Sequence, residues 1–151
     1  MKKMSLMALI GCSVLLNGCA SQDEVVFCPT ISAPEEGARA FVRSDNVKQV
    51  FDVRLNGGNA ICTRHNSGGT MVALSVGLKV KRSLAEGAEN DVVAVPMMSA
   101  IVDANQTVIS NQEFGYRVGF DKGSDSKFPV ADIEQLVPAE ARLVISLRPA
   151  Y

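Results

Sequence analysis

The chain has no tryptophan, two tyrosines, six phenylalanines and a single histidine among its 151 residues. Without tryptophan it lacks the Cys–Trp–Cys core of antibody-type domains. So few aromatic rings also leave little from which to build a sugar-binding platform. No CxxC or HxxxH spacing is present, so neither a zinc site nor a dithiol redox pair has support, and no metal is expected. No GxSxG elbow frames a serine nucleophile. The glycine-rich turns are not followed by Lys-Ser or Lys-Thr and a helix, so they do not cradle phosphate. Internal repeats and low-complexity segments are missing as well. Positive charge is not in excess: fifteen basic side chains stand against sixteen acidic ones. That balance predicts no basic field and no nucleic-acid partner.

Long apolar runs are missing too. The one sustained apolar stretch, residues 4–16 (MSLMALIGCSVLL), follows Lys2 and Lys3 and stops at Asn17-Gly18. A membrane-spanning helix needs about 17–25 residues, so this stretch is short for a span and suits the core of an export signal. Leu16-Asn17-Gly18-Cys19 resembles the lipobox of bacterial lipoproteins: an apolar residue, two small or tolerated residues, then cysteine. In that family the cysteine thiol receives a diacylglyceryl group, the chain is cut before the cysteine, and the new amino group is acylated. The resemblance implies that residues 1–18 are a removable signal peptide, with cleavage between Gly18 and Cys19. The covalent lipid on Cys19 is then the only added group, and no cofactor is expected. One acyl chain binds a membrane only marginally, at about 0.8 kcal/mol per buried methylene. Two or three chains on Cys19 therefore anchor the protein without a transmembrane helix.

The resemblance also carries a sorting rule. Aspartate just after the lipidated cysteine favours inner-membrane retention, whereas Ala20 and Ser21 follow Cys19 here. An outer-membrane location facing the periplasm is the expectation, with the inner membrane as the alternative. Residues 19–27 form a short lipidated tether, and residues 28–151 a single domain. Loss of Lys2 and Lys3 with the signal leaves thirteen basic against sixteen acidic side chains.

Four cysteines divide simply on this reading. Cys12 leaves with the signal and Cys19 carries lipid, so Cys28 and Cys62 remain as an even pair in an oxidising compartment. A Cys28–Cys62 disulfide is expected; two buried free thiols are the alternative.

The rest reads as an all-β protein. Residues 38–43 and 48–55 are strand candidates, the latter with Phe51, Val53 and Leu55 on one face. Asn56-Gly57-Gly58 has the chemistry of a tight hairpin turn, and residues 59–64 return with Cys62. Residues 70–82 are the clearest strand. Val72, Leu74, Val76, Leu78 and Val80 alternate strictly with Ala73, Ser75, Gly77, Lys79 and Lys81. Residues 92–102 are apolar on both faces, as in a strand deep in a sandwich or covered by a partner, and Pro96 argues for an edge or a bulge. Residues 103–106 turn, and 107–120 return with Phe114, Tyr116, Val118 and Phe120 on one face. Residues 121–127 read as a flexible loop, 131–137 as one or two helical turns, and 141–148 as a last strand. About seven strands with closely spaced turns predict an immunoglobulin-like antiparallel β-sandwich, with a small β-barrel as the alternative.

Candidate chemistry is thin. His65 sits beside a turn with Ser67 nearby, which reads as a solvated turn histidine rather than a catalytic one. Carboxylates gather at Glu35-Glu36, in residues 86–91 and in residues 121–125, all in loops. The last group has some flavour of a calcium loop but lacks the oxygen spacing of an EF-hand. Asn105-Gln106-Thr107 fits a glycosylation sequon and, more simply, a hairpin turn. The segment kept as a possible partner-binding edge strand is Val95, Pro96, Met97 and Met98, because methionine-rich apolar surface adapts to partners.

Cys28-Pro29 soon after the lipobox, Cys62, and the hairpin across residues 95–114 loosely resemble a group of small proteobacterial envelope lipoproteins with a sandwich fold. That resemblance implies no activity. The expected function is a non-catalytic binding or assembly module, held to the membrane through acylated Cys19 and partnered by another envelope protein. A small-molecule or glycan-binding lipoprotein and an envelope hydrolase are the alternatives.

Overall fold

The computed structural model describes residues 24–46, 49–83 and 88–148. Residues 1–18, Cys19 and the first residues of the tether lie outside the described residues.

The elements in order are β1 (Ile31–Ser32), a 3-10 turn (Glu35–Gly37), β2 (Arg39–Arg43), β3 (Val50–Arg64), β4 (Thr70–Arg82), β5 (Asp91–Val102), β6 (Val108–Phe120), β7 (Ser126–Lys127), β8 (Val130–Val137) and β9 (Arg142–Leu147). They form two sheets, one ordered β1-β9-β5-β6 and the other β2-β3-β4, with β7 and β8 both on the far side of β4. Neither sheet closes into a barrel. The expected all-β sandwich is what the chain forms. Within the two layers β2, β3 and β4 are consecutive neighbours in one sheet, and the named strands pair antiparallel, as expected, except β1 with β9, which run parallel.

Alternation builds the core. Val72, Leu74, Val76, Leu78 and Val80 of β4 all point inward and are buried, as are Val93, Val95 and Met97 of β5 and Leu143, Ile145 and Leu147 of β9. Each of these side chains contributes about 1.5–3 kcal/mol when removed from water. Phe51 and Phe120 meet across the layers with ring centroids 5.0 Å apart.

Two segments differ from the sequence expectation. Asn56-Gly57-Gly58 does not close a hairpin: β3 runs through it, paired with β4 on both sides, from Phe51 to Leu55 and from Gly58 to Arg64. Leu55 pairs with Leu78 and Gly58 with Val76, so β3 carries one extra residue there, a β-bulge. Gly57 takes the left-handed conformation at φ 82° that such a bulge needs. Opposite it, a side chain on Gly77 would come within 2.8 Å of the Asn56 carbonyl oxygen, so the partner strand must also be bare.

The second is residues 131–137, expected as a helical turn, which form β8. Its neighbour explains this. Without β8, β4 would present a free edge over a full apolar face, and Ala131, Ile133 and Val137 alternate inward to complete it. β7 and β8 keep one register against β4, and Pro129, which has no N–H to donate, separates them while its carbonyl still accepts from the Leu78 N–H at 2.8 Å.

Candidate functional site

The bulge sets which side chains line the inter-sheet space. Before it, Phe51 and Val53 face inward; after it, Ala60 and Cys62 do. One extra residue inverts the facing of everything downstream. Cys62 is thereby buried at 1% exposure, where it bonds Cys28, with Cα atoms 5.2 Å apart. The expected disulfide is present. Around it the chain is stitched further: the Val26 N–H donates to the Cys62 carbonyl, the Arg64 N–H to the Glu24 carbonyl, and Arg64 pairs with the Glu24 carboxylate at 2.7 Å. The hydrogen bond from Arg64 is the main reason the Glu24 carboxyl titrates below its ordinary value. Among the described residues, backbone pairing with β3 thus includes Glu24 and Val26, upstream of Cys28.

Beside the bulge, an apolar cleft of about 350 Å³ opens between the two sheets. One lip is β1 and Ala33; the other is β3 from Leu55 to Ala60, and Leu74, Val76 and Ile145 form the floor. Only Ser32 and Asn59 bring polar side chains. On this side of β3, β2 covers Val50 to Arg54, the Leu55 N–H reaches the Ala38 carbonyl, and Val25 covers Thr63. Among the described residues no strand pairs with the stretch between. The Cys62 carbonyl and Arg64 N–H point to this side, so strand alternation directs the backbone groups of Gly58 and Ala60 the same way. The cleft thus combines an apolar floor with a short length of unpaired strand.

The segment singled out in the sequence lies elsewhere. β5 is not an edge strand along Met97–Val102, because β6 flanks it on one side and β9 on the other. Val95 and Met97 are fully buried in the core; only Pro96 and Met98 keep partial exposure. Pro96 is accommodated because β9 pairing begins at Met97 and the proline N lies at the end of that ladder, where the Pro96 carbonyl accepts the Arg148 N–H. The edges of this sheet are β1 and β6, and the first half of β6, with Val108 and Ile109, is exposed.

His65 and Ser67 meet at the turn, with Nδ1 and Oγ 2.7 Å apart. The same nitrogen accepts the Ser67 backbone N–H, and the His65 N–H donates to the Gly69 carbonyl, so these contacts close the β3–β4 turn. Among the described residues no carboxylate hydrogen-bonds the ring, and no three of His, Cys, Asp and Glu gather in a cation-binding cluster.

The oxygen-rich loop over residues 121–125 does hold a cation, an internal one. Arg82, at the end of β4, is 4% exposed and donates Nε to the Ser124 carbonyl, Nη2 to the Asp121 carbonyl and Nη1 to the Glu89 carbonyl, at 2.8–2.9 Å. Its guanidinium lies 5.2 Å from the Phe120 ring centroid. The segment expected to be a flexible loop is thereby drawn onto the sandwich. Nothing in the local pattern marked Arg82, which occupies the next inward position after Val80. No family model, curated protein or solved structure matches the chain.

Proposed function

We propose that this chain is a lipid-anchored envelope lipoprotein whose sandwich is a non-catalytic binding or assembly module, tethered through acylated Cys19 to the periplasmic face of the outer membrane. The Leu16–Cys19 lipobox resemblance supports the anchor, and the few residues between Cys19 and the Glu24–Arg64 pairing support a sandwich held close to it. The observation that carries the binding role is the cleft beside the bulge. An unpaired length of β3 offers backbone groups to an extended segment of a partner, and the apolar floor takes that segment's inward side chains. The occupant is an extended, apolar stretch of another envelope protein.

A photo-crosslinking residue at Asn59, in intact cells, tests this reading. The expected result is one dominant envelope protein crosslinked from Asn59, absent from the same probe at Asn111 on β6, and lost when Ala60→Arg fills the cleft. Equal capture from both positions, or none, contradicts it. The volume of the cleft also suits a small apolar molecule, the second reading. An apolar compound that copurifies with the protein and is displaced by Ala60→Arg would favour it.

A further inference from the structure

We propose that the outer face of the β2–β3–β4 sheet docks on the anionic headgroups of a phospholipid bilayer. The register puts Arg39, Arg54 and Lys79 in one row across the three strands. The next row holds Phe41, Asp52 and Lys81, and Arg43 pairs with Val50 beyond it. Among the described residues five cations thus gather around one carboxylate at this end of the sheet face, while Asp132 and Glu134 of β8 face the same way farther along, opposite Ser75 and Ala73, in a chain with no overall basic excess. Asp45 and Asp125 stand at the rim. Asp52 is already committed: Arg39 donates to it at 2.8 and 3.0 Å, and Arg54 at 3.0 Å, which leaves the outer surfaces of both guanidiniums and the two lysines to face an anion.

Apolar side chains stand among these cations. Phe41 is 54% exposed, Phe128 61%, Val50 46% and Val130 51%, all on this face. Cations interleaved with exposed phenylalanine and valine suit a headgroup layer, where the charges meet phosphates and the apolar groups enter the acyl boundary. Nucleic acid fits less well, because base stacking needs an open ring face. Arg39 lies 4.7 Å from the Phe41 centroid and Lys79 lies 5.8 Å from that of Phe128, so each ring already has a cation over it. The face also shares β3 with Thr63, which pairs with Val25, six residues after Cys19 in the sequence. The inference rests on this register and these exposures, and it holds whether or not Cys19 carries lipid.

The lack of native tryptophan makes a clean probe. Phe128→Trp, and Ile109→Trp on the opposite sheet as reference, are introduced into the full chain as isolated from cells. Each is mixed with phosphatidylcholine vesicles, with and without about one third phosphatidylglycerol. The expected result is a blue-shifted, brominated-lipid-quenched signal from Phe128→Trp in the anionic vesicles alone, reversed by salt. Each basic residue near the surface is worth about five-fold in binding, so Lys79→Glu with Lys81→Glu should weaken the response at least about 25-fold. The urea midpoint of that double variant checks that it is folded; if it is not, Arg43→Glu takes its place with an expected loss of at least five-fold. An equal signal in neutral vesicles, an equal signal from Ile109→Trp, or an equal response to polyglutamate or single-stranded DNA would overturn the proposal. Failure to sediment with neutral vesicles would instead count against the Cys19 anchor alone.

Discussion

Replacing Arg82 should be among the most damaging single changes in the sandwich. Its guanidinium fork satisfies three backbone carbonyls from two loops, and its own backbone N–H reaches the Asp125 carbonyl. Arg82→Met keeps the length of the side chain but leaves the three carbonyls without a donor. Each buried, unpartnered group costs about 1–3 kcal/mol, and relief from burying a charge offsets part of the sum. A net loss of about 3–5 kcal/mol follows. Arg82→Lys keeps the charge but has no planar fork to span three acceptors, and should lose about 2–3 kcal/mol as roughly two hydrogen bonds fail. Urea denaturation reads both: with a slope of about 1–3 kcal/mol per molar, the Met variant should unfold at a midpoint lower by about 2 M. Amide exchange should quicken in residues 88–90 and 121–125 before it does in β3. An Arg82→Lys variant as stable as the unaltered protein would refute the reasoning, because charge alone would then suffice.

Reduction of the Cys28–Cys62 disulfide, which spans 34 residues, should destabilise the domain by about 3–4 kcal/mol in the chain-entropy model, read as a lower urea midpoint in dithiothreitol. Gly77→Ala should cost more than Gly57→Ala. The first drives a methyl against the Asn56 carbonyl, whereas the second meets only the roughly 1–2 kcal/mol penalty of a left-handed backbone, which thermal melts can separate. Asp52, held down to about 2 chiefly by its hydrogen bonds from Arg39, lies below its unfolded value near 3.8. Its contribution is therefore present above about pH 4 and lost as pH falls toward 2. Asp52→Asn should flatten that part of the acid stability curve by about 1 kcal/mol, solvent at the half-exposed arginines screening the rest.

The strands were legible wherever alternation was unbroken. β4 could be read residue by residue from Val72 to Val80 because each inward position is apolar and each neighbour polar or small, and β9 followed from its inward Leu143, Ile145 and Leu147. The bulge was misread because Asn-Gly-Gly has the chemistry of a hairpin turn. The contrary signal lay in the shift of inward positions, from odd at Phe51 and Val53 to even at Ala60 and Cys62, which a bulge produces and a regular strand does not. Residues 131–137 were misread because Asp, Glu and Gln among apolar residues suit a helix, and only the open edge of β4 makes them a strand. Of the sites, the disulfide followed from counting cysteines. The cleft, the Arg82 fork and the cationic face did not, because each depends on which strands become neighbours. Net charge hid the last of these: the cations stand at alternate positions of three strands, and only the register gathers them.

The proposed anchor at Cys19 is tested most directly by intact mass spectrometry of the protein extracted from isolated outer membranes. The expected result is a mature chain that begins at Cys19, with a mass increment of two or three acyl chains, and loss of the protein from that membrane in Cys19→Ala. A chain beginning at another residue, or one beginning at Cys19 with a free thiol, would contradict it.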